Sequence, residues 1–275
     1  MTSPLSSSVS GTTPLVLDVN DTEPIPFTRL LAVELRKARD TRASFWLLAV
    51  IAIAVVIAEV VALIVGVTHD DRADIDFGAF TAVAAFLTSV LLPVLAIMLV
   101  TTEWTQRSAM VTFSLESRRS RVVLAKLAVG VILTFATIIL ATAVGAIANA
   151  LLGVFNGPAD WSYGWNGFFG FIISQNLAML VGFALASLTL NTAAAIVLFF
   201  VYQFVLPTLF AIGSELWNWF EDIAKWIDFG SAQNQLFELS DMSGTEWAQL
   251  VVSGLIWLAI PFALGLRRIL RAEVK

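Results

Sequence analysis

The 275-residue chain contains no cysteine and a single histidine. Without thiols it has no disulfide, zinc–thiolate site, iron–sulfur cluster or thiol nucleophile. His69 lies beside Asp70 and Asp71 and is read as a solvated loop residue, because a metal site needs a larger ligand set. No lysine follows a glycine, so the Gly-Lys-Ser/Thr phosphate loop is missing. No Gly-x-Ser-x-Gly turn exposes a serine nucleophile. Charge is scarce, at 13% of residues against about a quarter in a soluble domain. A net charge of −5 offers nothing to a nucleic acid. What the chain has instead is apolar mass: 58% hydrophobic residues and a mean hydropathy of +0.85. A soluble globule of this size would lack the polar surface to cover itself, so the composition is that of an integral membrane protein.

The apolar mass falls into six runs, Phe45–Val67, Phe77–Val100, Leu127–Val154, Phe168–Leu190, Thr192–Ile212 and Ala248–Leu266. Each is near or above the ~20 residues that cross ~30 Å of hydrocarbon as a helix. Alternating segments of about ten residues, the mark of a barrel, are absent. The expected fold is an all-α membrane protein with a six-helix transmembrane bundle. Residues 1–24, rich in Ser, Thr and Pro with no basic residue, are expected to be a disordered cytoplasmic tail, and residues 25–275 the membrane domain. The tail has no basic start followed by an apolar core, so it is not read as a secretory signal.

Basic residues set the expected orientation. All of them except Arg72 and Lys225 fall in one alternating set of connections: the N-terminal region, the loop between runs two and three, and the C-terminus. Both termini are therefore expected in the cytoplasm. Trp161, Trp165, Trp217, Trp219, Trp226 and Trp247 gather at the opposite ends of the runs, where amphipathic rings favour the headgroup level. Trp257, inside the sixth run, reads as core filling.

Three segments outside the runs carry pattern. From Pro26 to Arg42, Phe27, Leu30, Leu31, Leu35 and Ala38 recur at helical spacing, while Arg29, Arg36, Lys37 and Arg39 take the other faces. Such a helix is expected to lie flat in the inner interface against anionic headgroups. Between runs two and three, Thr101 to Lys126 is too long for a turn. Glu103 and Arg107 stand at i and i+4, the favourable order for an ion pair. Trp104, Met110, Val111 and Phe113 add apolar material outside the membrane, suited to docking in a partner's groove. Between runs five and six, Leu216, Trp219, Phe220, Ile223 and Ile227 form one helical face opposite Glu215, Asn218, Glu221, Asp222 and Lys225, an amphipathic outer helix. Ser243-Gly-Thr-Glu246 has the capping-box pattern, placing the start of span six ahead of its apolar run.

A flat helix carrying Glu34-Leu35-Arg36-Lys37, two spans, an inner loop with Glu103, Trp104, Thr112, Arg118, Arg119, Arg121, Ala125 and Lys126, and four more spans together resemble the ABC-2 type permeases, membrane subunits of bacterial ABC exporters. The resemblance covers residues 26–275 in architecture. It departs from the family pattern around Ser108-Ala109, where Gly-Thr is usual, and at Glu116-Ser117, where a proline is usual. It implies that the inner loop forms a coupling helix contacting a separate ATPase, with Glu103, Trp104, Arg107, Met110, Val111 and Phe113 as the contact set. It also implies pairing with a second permease copy or a similar chain, in the bacterial cell membrane. The chain would be a transport subunit and no enzyme. It would hold no cofactor, the ATP and magnesium residing on the partner.

Polar groups inside the runs are few. Glu59 is a carboxylate in the first, and must be protonated, paired or water-facing. At a rise of ~1.5 Å per residue, Glu59, Gln175, Asn176 and Gln203 all come out about 10–14 Å below the outer end of their runs. Two readings stand: a polar layer on a translocation path, or Glu59 as hydrogen-bonded helix glue. As a path residue Glu59 also admits an ion- or proton-coupled secondary transporter. Pro93, Pro207 and Pro261 permit kinks, static or hinged. Gly164, Gly167 and Gly170 recur every three residues, for close packing or for a re-entrant start.

Overall fold

The structure is a computed structural model, and it describes residues 25–68, 76–106, 108, 110, 112, 118–156 and 158–271. The tail (1–24), His69 and the acids beside it lie outside the described residues. Helix α1 spans Phe27–Asp40, α2 Arg42–Thr68, α3 Phe77–Thr105, α4 Arg119–Asn156 and α5 Gly164–Thr189. Helix α6 covers Thr192–Leu216. Two short helices, α7 (Asn218–Ile227) and α8 (Phe229–Asn234), and a 3-10 turn (Gln235–Glu238) lead into α9, Gly244–Arg271. No strand occurs among the described residues. Among the described residues six helices, α2 to α6 and α9, are long and apolar enough to cross a membrane. Large apolar side chains such as Phe86, Ile139, Val154 and Val197 stand more than 60% exposed. A surface of this kind is stable only where the solvent is itself apolar.

Local chemistry starts the helices where it should. Asp76 caps α3 by accepting from the Ala79 amide at 2.8 Å, and Asn191 caps α6 by accepting from Ala194 at 3.0 Å. The capping box at α9 is complete: the Ser243 amide donates to Glu246, and the Glu246 amide to the Ser243 hydroxyl. The sixth span accordingly begins at Gly244, ahead of its apolar run.

Helices α3 and α5 form the centre. Gly182 on α5 lets the two backbones close up, since a Cβ there would meet the Pro93 carbonyl oxygen of α3 at 2.5 Å. Pro93 leaves α3 unbroken. A buried bridge ties the same pair, with the Thr88 hydroxyl donating to Gln175 Oε1 at 2.9 Å and Gln175 Nε2 to the Ala85 carbonyl at 3.2 Å. Two glycines of the repeat serve packing: Gly167 lies against the Tyr163 ring, and a Cβ on Gly170 would overlap the Leu236 carbonyl of the 3-10 turn, whereas Gly164 has a φ of +71° and nothing within 4 Å of a Cβ.

The other two prolines act differently. Each of α6 and α9 widens into one π-helical turn, Val201–Val205 and Leu255–Ala259. Pro207 and Pro261 stand four residues beyond Gln203 and Trp257, the middle residues of these turns. A proline ring clashes with the carbonyl four residues back, and a π-turn relieves that clash by moving the carbonyl out of register.

Candidate functional site

Two constellations of polar side chains stand out, one at each end of the bundle. The first lies at the end that carries Ile25 and Arg271. Glu34 of α1, Glu103 of α3 and Lys126 of α4 are 5%, 8% and 7% exposed. Lys126 Nζ donates to Glu34 Oε2 at 2.7 Å, to the Leu99 carbonyl at 3.2 Å, and meets Glu103 Oε1 at 3.1 Å. All three protons of the ammonium thus have an acceptor. Lys37 Nζ reaches Glu34 Oε1 and Glu103 Oε1, each at 2.7 Å. Burial pulls the Lys37 ammonium toward its neutral form, but the Glu103 and Glu34 carboxylates bonded to it prevail, and its pKa is raised above 10.5. Two acids and two bases cancel, so the cluster is buried without net charge.

Sequence neighbours complete this clamp. Arg119 donates to the Ile269 carbonyl near the end of α9 at 2.9 Å, and Arg268 to the Leu188 carbonyl near the end of α5 at 2.5 Å. Helix C-termini leave carbonyls without partners, and a guanidinium is suited to them in geometry and in charge. Arg121 donates to the Ile25 carbonyl at 2.6 Å. Thr192 at the start of α6 bonds Thr101 and Thr105 at 2.7 and 3.0 Å.

The residues expected on a coupling helix divide. Glu103 and Trp104 belong to the last turn of α3, where Glu103 is buried in the clamp and Trp104 packs on the core. The Glu103 carboxylate is thus bound by Lys37 and Lys126. Met110 and Thr112 are helical, the Thr112 amide donates to Ser108, and Met110 is 52% exposed. Arg107, Val111 and Phe113 lie outside the described residues. The α1 set divides as well. Arg29, Arg36 and Arg39 are exposed, whereas Lys37 turns inward to the acids.

The second constellation is a cavity of about 570 Å³ at the far end, between α3, α5, α6, α8 and α9. Its polar wall includes Ser174, Gln175, Gln203, Asp228, Gln233 and Asn234. Its aromatic wall includes Phe86, Tyr202, Phe210 and Trp257. The two π-turns supply Tyr202, Gln203 and Trp257. The Tyr202 and Trp257 rings are 5.4 Å apart, inclined at 52°, and Trp257 Nε1 donates to the Ile227 carbonyl at 2.7 Å. Asp228 caps α8, its Oδ1 accepting from the Ser231 amide at 3.1 Å and its Oδ2 from the Ser231 hydroxyl at 2.6 Å. Each carboxylate oxygen keeps a further acceptor position. Asp228 is the one formally charged residue among the described residues lining the cavity.

Of the residues read at one depth, the structure brings Gln175 and Gln203 together on this cavity. Asn176 instead donates back to the Ile172 carbonyl of its own helix at 2.8 Å. Glu59 is elsewhere. It is fully buried on α2, where a Cβ on Gly145 would lie 3.6 Å from its Oε1, and neither carboxyl oxygen has a hydrogen-bond partner among the described residues. Pairing and contact with the cavity are both missing there.

With this geometry in hand, the chain matches no protein-family model, and a search of curated proteins finds no relative. The cavity residues Tyr202, Asp228, Gln233 and Asn234 were not foreseen from the sequence. Their one legible trace is the Asp228-x-x-Ser231 helix cap.

Proposed function

We propose that this chain is the membrane subunit of an ATP-binding cassette exporter, an ABC-2 type permease that forms the solute path and is driven by separate cytoplasmic ATPase subunits. The observation that carries this reading is the buried clamp. Glu103 and Lys126, residues on which the resemblance rests, bracket the loop between α3 and α4 and meet at 3.1 Å. A load applied to that loop is delivered at once to α1, α3 and α4, because one cluster of charges holds all three. The exposed Met110 is the apolar handle for the partner, and the loop around it is the coupling helix. The chain supplies path and lever, and ATP with magnesium binds on the partner.

In this reading the clamp end faces the cytoplasm of a bacterium, across its inner membrane. Arg29, Arg36 and Arg39 project from α1 toward anionic headgroups. Helix α7 lies at the outer surface, its exposed Trp219 and Ile223 at headgroup level. A second permease copy, identical or similar, pairs along the lipid-exposed faces. One observation favours a second reading. The unpartnered carboxyl of Glu59 suits an ion- or proton-coupled secondary transporter, whose transport would run on a proton gradient without ATP.

The natural absence of cysteine gives a clean test. Met110→Cys provides a single thiol in the loop. It is expected to resist a membrane-impermeant maleimide in intact cells, to react after permeabilisation, and to cross-link to an ATPase subunit in native membranes. Labelling from outside the cell, or no ATPase adduct from native membranes, overturns the reading.

A further inference from the structure

We propose that the far-end cavity is a binding site for a monocationic aromatic amphiphile, an organic ammonium or phosphonium of drug size. The proposal rests on the permease reading and deepens it, by naming the class of solute the path accepts.

Size comes first. A volume of about 570 Å³ falls within the ~300–1,000 Å³ of sites that enclose drug-sized ligands. Charge comes next. The described lining holds one carboxylate, Asp228, and no lysine or arginine. An anion entering would face Asp228 with no countercharge, in surroundings that screen poorly. A cation would find a carboxylate already fixed in place by Ser231, so little ordering is required on binding. The walls make the third argument. Tyr202 and Trp257 present two inclined rings 5.4 Å apart, and ring faces attract cations. Phe86 and Phe210 extend the aromatic surface. Around them Gln203, Gln233 and Asn234 offer amides that accept or donate.

The backbone adds an independent argument. Both π-turns open onto this one cavity, and they bring Tyr202, Gln203 and Trp257 to it. Single π-turns within α-helices concentrate at functional sites. Two in different spans, each centred four residues ahead of its own proline, converge here. Glu59 takes no part in this site, since it does not line the cavity.

The test uses the full chain in nanodiscs of neutral lipid and equilibrium dialysis of two probes matched in shape, tetraphenylphosphonium and tetraphenylborate, with empty discs subtracted. Tetraphenylphosphonium is expected to bind in excess of empty discs, and tetraphenylborate is not. Asp228→Asn, whose amide oxygen still caps α8, is expected to weaken tetraphenylphosphonium binding about tenfold or more. Tyr202→Phe keeps the ring and the binding, whereas Tyr202→Leu loses several-fold. Unchanged cation binding in Asp228→Asn or in Tyr202→Leu overturns the proposal, as does equal binding of the anion. No ATPase is present in the assay. A failure of charge selectivity therefore leaves the permease reading standing, and a failure to recruit an ATPase leaves the binding result standing.

Discussion

Replacing Lys126 with methionine tests the clamp at the residue on which it depends. The substitution keeps the length of the side chain and removes its charge. Glu34 and Glu103, 5% and 8% exposed, are then left with one ammonium between them, that of Lys37, whose side chain is 39% exposed. The cluster passes from neutral to a net charge of minus one in surroundings with little water, and the Leu99 carbonyl loses its ammonium donor. Removing one partner from a buried ion pair costs about 3–5 kcal/mol, because the remaining charge is stranded, whereas replacing both partners with apolar groups is often close to neutral. The double variant Glu34→Leu, Lys126→Met leaves Glu103 paired with Lys37 and restores neutrality. It is expected to lie within about 1–2 kcal/mol of the parent chain. Both follow from unfolding in mixed micelles with increasing dodecyl sulfate, read by tryptophan emission, since Trp104 lines the same small cavity as Glu103 and Lys126. A Lys126→Met chain within about 1 kcal/mol of the parent would refute the reasoning. So would a double variant as unstable as the single one, since rescue of a stranded charge is what the argument requires.

Two further outcomes follow from the same geometry. Lys37 has its pKa raised above 10.5 in the folded chain, burial opposing and the Glu103 and Glu34 carboxylates prevailing. Its contribution is therefore complete below 10.5 and lost as pH climbs through the higher folded value. Thermal midpoints followed from neutral to strongly alkaline pH should show this step in the parent and not in Lys37→Met. Gly170→Ala drives a methyl into the Leu236 carbonyl, while Gly244→Ala meets nothing within 4 Å. The first is expected to cost about 1–3 kcal/mol by overpacking and the second almost nothing, so equal thermal midpoints would contradict the close approach of the 3-10 turn to α5.

The spans were legible because each is a long apolar run that, in lipid, has only the helix as a way of bonding its own backbone. The capping box at Ser243 was equally legible, being a local pattern read within four residues. The clamp was not, because it joins the local pair 34 and 37 to positions 103 and 126, and no local rule reaches so far along the chain. A clue was present in Glu34, an acid beside the Leu31, Leu35 and Ala38 stripe of a basic helix; its second carboxylate oxygen is taken by Lys126, beyond its local partner Lys37. The i, i+4 rule instead offered Arg107 as the partner of Glu103. Arg107 lies outside the described residues, and the bonds seen at this carboxylate come from two lysines on other helices. Depth counting found Gln175 and Gln203 and also admitted Glu59 and Asn176, because it fixes height along a span and says nothing about which way a side chain turns. Trp257, read as core filling, does pack on the central apolar cluster and lines the cavity as well.

The two constellations differ in how firmly their helices are held, and that difference bears on movement. In the most apolar stretch of α3 and of α5, 56% of residues are buried, against 17% in α2 and α6 and 22% in α9. Buried side chains interlock, and sliding one past another forfeits contacts on every side. Helices α3 and α5 are therefore the fixed frame of the bundle. The cavity takes one wall from that frame, at Phe86, Ser174 and Gln175, and another from α6 and α9, at Gln203 and Trp257. Of the three helices that sacrifice least packing by moving, α2, α6 and α9, the latter two carry the π-turns. Bonds at the clamp end, Thr192 to Thr101 and Arg268 to Leu188, fasten α6 and α9 to the frame near the α3–α4 loop. Displacement there would tilt both helices about these points and change the width of the cavity at the other end. In the proposed permease reading, a load on the α3–α4 loop would reach the cavity through α6 and α9.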